Sequence, residues 1–367
     1  MMQWLSRVVG VALVGWGCQA SPQGAPSVEV AANAPAQAGA ESGSGKSKAP
    51  PPAAQDQKGL AMVPGKPLFN VRLDIEGCAH DVYVNGGLVT RNLEGTPAHA
   101  EYPVNHWLRS GSNLLQVNML LPEGEPDTCN VKLELRYKDD SAPPDAPALT
   151  LATLVHDGTT APANNPTLGS SPSGSFDSRT GQPATSSADV RVSAATIQPL
   201  TPKVPQAHVL SRSVELGLPF PEWAFFRGEV QRPDWDYESK EARQPVYGAL
   251  LETYQSLHDL LAKGDIDAFV DACEERSREM DIAYYQPSGT SREALRSQVA
   301  SAIANSKFEL ESIRKNPGKY WGYLVGPQGT LVALTQGTRA SALLSFQRKG
   351  EELAIVLPTF FRKEQGK

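Results

Sequence analysis

Two strings carry the fold reading: VYVNGGLV at residues 82–89 and YPVNHWLRSGSNLLQVNM at residues 102–119. In the first, Asn85-Gly86 separates two short runs of branched and aromatic residues. A two-residue hairpin turn of type I′ needs positive φ at both central positions, which Asn and Gly tolerate, so the pair predicts a tight antiparallel hairpin. In the second, Gly111-Ser112-Asn113 opens the apolar run Leu114–Leu120. Outward on either side the pattern keeps a period of two. Phe69, Val71, Leu73 and Ile75 alternate with polar residues, as do Val131, Leu133, Leu135 and Tyr137, and each run predicts a strand with one buried face. Segments 148–155, 189–192 and 209–218 add three more. Short strands at this spacing predict an all-β antiparallel sandwich over residues 67–218.

The same two strings resemble the galactose-binding-like jelly-roll modules, in which an Asn-Gly hairpin precedes a strand entered through Gly-x-Asn. The resemblance implies a jelly-roll-like sandwich. It implies no sugar by itself, because such modules bind varied ligands or none. Within this half, residues 157–187 are rich in Gly, Pro, Ser, Thr and Asn, and predict a disordered loop extruded from the sandwich.

Near the N-terminus, Arg7 precedes the apolar run Val8–Val14 and then Gly15-Trp16-Gly17-Cys18. The run has signal-peptide length and is too short to span a bilayer. Its end resembles the lipobox of bacterial lipoproteins, with Gly15 and Trp16 standing where Leu and a small residue are usual. The resemblance implies a signal peptide over 1–18 and lipid on Cys18. With Gln19 next, it implies a lipid-anchored protein on the periplasmic side of the outer membrane. A secretory signal cleaved elsewhere is the alternative. Residues 19–66, mostly Ala, Pro, Gly, Ser and Gln, hold too few large apolar side chains to fold and read as a disordered tether.

The chain has four cysteines among 367 residues. With Cys18 lipidated in an oxidising compartment, Cys78 and Cys129 share the strand-rich segment and predict a disulfide, leaving Cys273 free. Three buried thiols are the alternative. No pair has the spacing of a zinc site.

From Glu241 the period changes to that of a helix. Tyr247, Leu250, Leu251, Tyr254, Leu257 and Leu261 share one face, and Lys263-Gly264 ends the segment. Asp265 caps a second helix with Ile266, Phe269, Val270, Cys273 and Met280 inward, and Thr290-Ser291-Arg292-Glu293 is a capping box for a third. Five strand segments follow, at 308–313, 320–325, 330–335, 342–347 and 353–361. The order predicts an α+β domain over 241–367, three helices and a curved antiparallel sheet. The string LHDLLAKGDIDAFVDACEERSRE resembles the nuclear-transport-factor-like (SnoaL-like) cone fold, which hosts both enzymes and proteins that only bind.

Between the two halves, the connector 219–240 carries Phe220, Trp223, Phe225, Phe226, Trp235 and Tyr237. So much apolar area in a linker predicts packing between the domains. Trp223, Phe226, Trp235 and Tyr237 are also the candidate partner-binding residues, since aromatics dominate contact hot spots.

Chemistry leaves little trace. The net charge of −6 offers no basic field for nucleic acid. There is no HExxH motif, no i,i+4 His pair on a helix and no nucleophile elbow. His258-Asp259 is an acid–base candidate only if it turns into a cavity. The acids Asp265, Asp267, Asp271, Glu274, Glu275, Glu279 and Asp281 crowd the second helix beside Arg276 and Arg278, and read as an ion-paired face that a basic partner could also meet. No cofactor, metal ligand or catalytic residue is assigned. The reading is therefore a non-enzymatic envelope lipoprotein binding another protein through a two-domain surface, for instance an immunity-type inhibitor of an antibacterial effector such as a secreted lipase. The alternatives are a glycan- or peptidoglycan-binding lipoprotein and a small-molecule enzyme in the C-terminal cone.

Overall fold

The computed structural model describes residues 18–19, 60–121, 128–158, 167–171, 173–180, 182–183, 188–202, 204–233, 239–304, 320–325, 328–336, 339–347 and 353–355. Its first part is two antiparallel sheets packed face to face. One has the order β5-β2-β7-β8-β9, built from β2 (Pro67–Glu76), β5 (Ala98–Pro103), β7 (Asn130–Asp139), β8 (Leu149–Asp157) and β9 (Thr167–Ser170). The other runs β10-β11-β13-β6-β3-β4, with β12 also paired to β13. Its strands are β3 (Ala79–Val84), β4 (Gly87–Asn92), β6 (Gly111–Leu120), β10 (Gly174–Phe176), β11 (Val190–Val192), β12 (Thr196–Thr201) and β13 (Val204–Leu216). The period-two apolar residues of β2 and β7 point inward as expected, and Phe69, Val71, Leu73, Ile75, Val131, Leu133 and Leu135 are buried in one cluster.

The hairpin forms where the Asn-Gly pair predicts it, with Asn85 and Gly86 both at positive φ. Gly87 is needed for a different reason: a Cβ there would land in the Trp107 ring. The Cys78–Cys129 disulfide is present and closes a separation of 51 residues. On the chain-entropy account a loop of that length stabilises by about 4 kcal/mol.

After the sandwich come α1 (Lys240–Ala262), α2 (Ile266–Asp271), α3 (Glu274–Ala283) and α4 (Thr290–Ala304), then β14 (Tyr320–Val325), β15 (Val332–Gln336), β16 (Arg339–Gln347) and β17 (Leu353–Ile355). These last four and β1 (Cys18–Gln19) form a third antiparallel sheet, ordered β1-β17-β16-β15-β14. Leu250, Tyr254, Leu257, Leu261, Phe269, Val270, Leu295 and Val299 close a second core. Ser239 and Asp265 cap α1 and α2 through their side chains, and Gly264 takes the left-handed conformation between them.

Several expectations are corrected. The second helix breaks at Ala272–Cys273 into α2 and α3. The N-terminus of α4 is held by Asp281 of α3, whose carboxylate accepts from Gly289 N and Ser291 N, both at 2.7 Å, in place of the expected capping box. Residues 157–187 are not one disordered loop. β9 pairs with β8, β10 pairs with β11, and Ser178 is tied to the carboxylate of Asp189. Small polar residues suffice there because backbone pairing with existing strands orders the segment, helped by Phe176 packing against the sandwich core. The tether ends earlier than residue 66: Ala61 and Val63 donate to Ala188 O and Gly217 O, and Val63 is buried. Gln19, expected in the tether, lies in β1 on β17. The expected strand at 308–313 lies outside the described residues.

Candidate functional site

The quoted strings fold into a buried polar node. Asn85 does more than turn the hairpin: its amide donates to Trp107 O and to Asn113 Oδ1, both at 2.7 Å, and its carbonyl accepts from Leu114 N at 2.8 Å. Asn113 in turn bonds Arg109 N, Arg109 O and Gly111 O. Together these fix a 3-10 turn, Asn105–Trp107, against the sandwich. That turn is where the helical part docks. Asn105 accepts from Phe69 N at 2.7 Å and donates to Pro67 O of β2 and Ala283 O of α3, at 2.8 and 2.7 Å. One amide thus joins a strand of the sandwich to the end of a helix.

Arg276 of α3 completes the junction. It is 3% exposed, its guanidinium carbon lies 5.1 Å from the centroid of Trp107, and its Nη1 pairs with Glu279 Oε2 at 3.0 Å. It also donates to His106 O at 3.2 Å. The other oxygen of Glu279 accepts from Ala224 N of the connector at 2.6 Å. The ion pair therefore touches all three parts of the chain, and each carboxylate oxygen has a partner, as a buried pair requires. His106 Nδ1 hydrogen-bonds Tyr284 Oη at 2.7 Å. Burial, and secondarily the charge of Arg276, hold the His106 pKa well below its ordinary value, while burial raises that of Tyr284.

The connector packs here in its described part. Phe220, Trp223 and Phe225 are buried in the sandwich core, and the Trp223 indole donates to Leu108 O at 2.6 Å. Trp223 has no exposed surface, which corrects its expected part in partner binding: it is a packing anchor. Phe226 is half-buried with the Arg109 guanidinium 4.6 Å from its ring centroid, so part of it stays on the surface. Trp235 and Tyr237 lie outside the described residues. Farther on, Gln231 N donates to Gly329 O at 2.6 Å and Gln328 donates to Asn85 at 3.3 Å. Leu331 belongs to the sandwich core and its neighbour Val332 to the helical core, as alternation in an extended chain allows.

The remaining sequence candidates resolve one by one. His258 Nδ1 meets Asp259 Oδ1 at 3.1 Å, and Gln255 bonds Asp259 at 2.6 Å, a local cluster on α1. The acidic face is largely spent within the molecule. Asp267 pairs with Arg296, Asp271 and Glu274 with Arg292, Glu279 with Arg276, and Asp281 caps α4. Cys273 is disulfide-bonded, which corrects the expectation of a free thiol; it sits at the α2–α3 break, against which β1 runs. Asp74, Glu76 and His99 escaped the sequence reading because they are distant in sequence. Register places Asp74 opposite His99, whose nitrogens face Asp74 at 2.8 Å and Glu76 at 3.5 Å. Their ligand atoms lie close enough together to hold a metal ion, and all three are exposed. No described helix is long and apolar enough to cross a membrane. No protein-family model, no curated protein and no solved structure matches this chain.

Proposed function

We propose that the chain is a non-enzymatic lipoprotein, anchored to the periplasmic side of the outer membrane through lipid on Cys18, that binds a protein partner on one surface made jointly by sandwich and helices. An immunity-type inhibitor of an antibacterial effector is one instance of that class. The observation that carries the reading is the closed junction of Asn105, Arg276, Glu279 and Trp223. It holds the two parts in one orientation, so a partner meets a preformed surface without the ordering cost of two loose modules. Phe226 and Arg109, at the edge of that junction, are the residues we assign to partner contact, with Trp235 and Tyr237 following in the same connector. The glycan-binding alternative loses Trp223 as a stacking platform, because the indole is enclosed.

The test is fractionation and co-purification of the full chain from detergent-solubilised membranes. Cys18→Ser should move the protein to the soluble fraction, and Phe226→Ala should reduce the yield of a co-purifying envelope protein. The chain's cysteines other than the Cys78–Cys129 pair are Cys18 and Cys273, and a thioether to lipid and a disulfide are exclusive fates for the Cys18 sulfur, so the lipid anchor requires that the bonded Cys273 draw its partner from a second molecule. Peptide mapping that finds Cys18 joined to Cys273 in the mature protein would overturn the lipid anchor.

A further inference from the structure

We infer that the sandwich contains an oxyanion site centred on the guanidinium of Arg212, taking a phosphate or carboxylate group of a ligand. The inference depends on neither the membrane anchor nor the protein partner.

Arg212 occupies a core position. It lies on β13 in phase with Leu210, Val214 and Leu216, all fully buried, and is itself 1% exposed. Its Nε donates to Ser193 O at 2.8 Å, and its Nη1 donates to Thr153 O of β8 and to Ser171 Oγ, both at 2.9 Å. Nη2 has no acceptor among the described residues. Every group that receives from Arg212 is neutral, and among the described residues no carboxylate pairs with it. Ser171 Oγ also accepts from Thr153 N at 3.2 Å. With both lone pairs engaged, its own O–H proton is left to give away.

The site therefore holds one whole positive charge and two kinds of unspent donor side by side, the Nη2 hydrogens and the Ser171 hydroxyl. An arginine does not shed its charge by deprotonation. Taking that charge out of water is unfavourable unless an anion offsets it. A group with an excess of donors, a net charge and no remaining acceptor is chemically a receptor for an oxyanion. Two of the residues that meet the guanidinium reach the surface, half-buried Ser171 through its hydroxyl and exposed Ser193 through its carbonyl, so the site lies close to solvent.

The experiment is a thermal melt of the full chain at fixed ionic strength, with sodium phosphate in one arm and sodium acetate in the other, each replacing sodium chloride. We expect a saturable rise of about 2–4 °C in at least one arm, and the responding arm names the ligand group. Arg212→Met should abolish the rise. Ser171→Ala should raise the half-saturating concentration about tenfold or more, the effect of one hydrogen bond to a charged group. No saturable rise in either arm, or an equal rise in Arg212→Met, would show an adventitious salt effect only and overturn the site. Should Arg212→Met fail to fold, Ser171→Ala decides, and an unchanged half-saturating concentration overturns it.

Discussion

Two arginines are buried to nearly the same degree, Arg276 at 3% exposure and Arg212 at 1%, and their surroundings differ in one respect. At the junction, Arg276 faces the carboxylate of Glu279 and lies against the Trp107 and Phe225 rings. Inside the sandwich, Arg212 has three neutral acceptors and, among the described residues, no carboxylate; one nitrogen of each guanidinium, Nε of Arg276 and Nη2 of Arg212, is without an acceptor there. Burial lowers the pKa of both, yet only at Arg276 does a partner charge oppose that effect. A compensated buried charge is a fastening, since every member depends on the others being in place. An uncompensated one keeps its attraction for an anion. The junction therefore serves architecture and the sandwich interior serves a ligand.

Removing the compensation should erase the difference. Glu279→Ala leaves Arg276 in the position of Arg212 and frees Ala224 N as well, so unfolding free energy should fall by about 3–5 kcal/mol. Urea unfolding followed by the fluorescence of the junction tryptophans measures it. In the absence of anion, Arg212→Met should change stability by only about 2 kcal/mol or less, because relief of an uncompensated buried charge offsets the loss of the donor to Ser193 O, Thr153 O and Ser171 Oγ. A loss of several kcal/mol in Arg212→Met with only a small one in Glu279→Ala would invert the comparison.

Trp223→Ala attacks the same junction through packing. The indole is fully enclosed and its N–H is spent on Leu108 O, so about 3–5 kcal/mol should be lost, read as a lower urea midpoint. Limited proteolysis of this variant should then cut within 219–233 at a rate that the parent resists. Gly87→Ala is a smaller, steric test on the sandwich side. The added methyl meets the Trp107 ring, which is already held between Gly87, His106 and Phe225. Overpacking of this kind costs about 1–3 kcal/mol, and a midpoint unchanged from the parent would mean that the ring can move.

These sites differ in how far the sequence revealed them. Asn85-Gly86 announced the hairpin, and the structure places both at positive φ. The same asparagine's amide bonds to Trp107 and Asn113 depend on contacts across 22 and 28 residues, which no local pattern encodes. The apolar stripe of α1 was legible from its spacing, whereas the α2–α3 break was not, because the apolar residues continue across it. β9 and β10 were missed because their Gly, Ser and Thr composition signals no burial, and their order comes from neighbouring strands. Arg212 left a usable signal: the period of two in 209–218 sets it in phase with Leu210, Val214 and Leu216. Trp223 was legible as a packing residue and illegible as a contact residue, since composition gives apolar area without saying which side of the surface holds it.

The smallest expected effect tests whether the junction tolerates a second positive charge. His106 hydrogen-bonds Tyr284 and stands beside Arg276, with Glu279 the one carboxylate of that network. Its folded pKa is depressed, first by burial and then by Arg276. The folded state therefore binds fewer protons than the unfolded chain once the pH falls below about 6.5, the value an exposed imidazole takes. The stability due to neutral His106 is complete above that pH. It is lost as the pH falls toward the folded pKa, at about 1.4 kcal/mol per pH unit. Arg212 has no imidazole partner, so the slope belongs to the junction. His106→Asn, which keeps a polar side chain and removes the titration, should flatten the acid limb relative to the parent between pH 6.5 and 5. Parallel profiles for parent and variant would mean that the imidazole reaches water, and that the junction is looser than its hydrogen bonds imply.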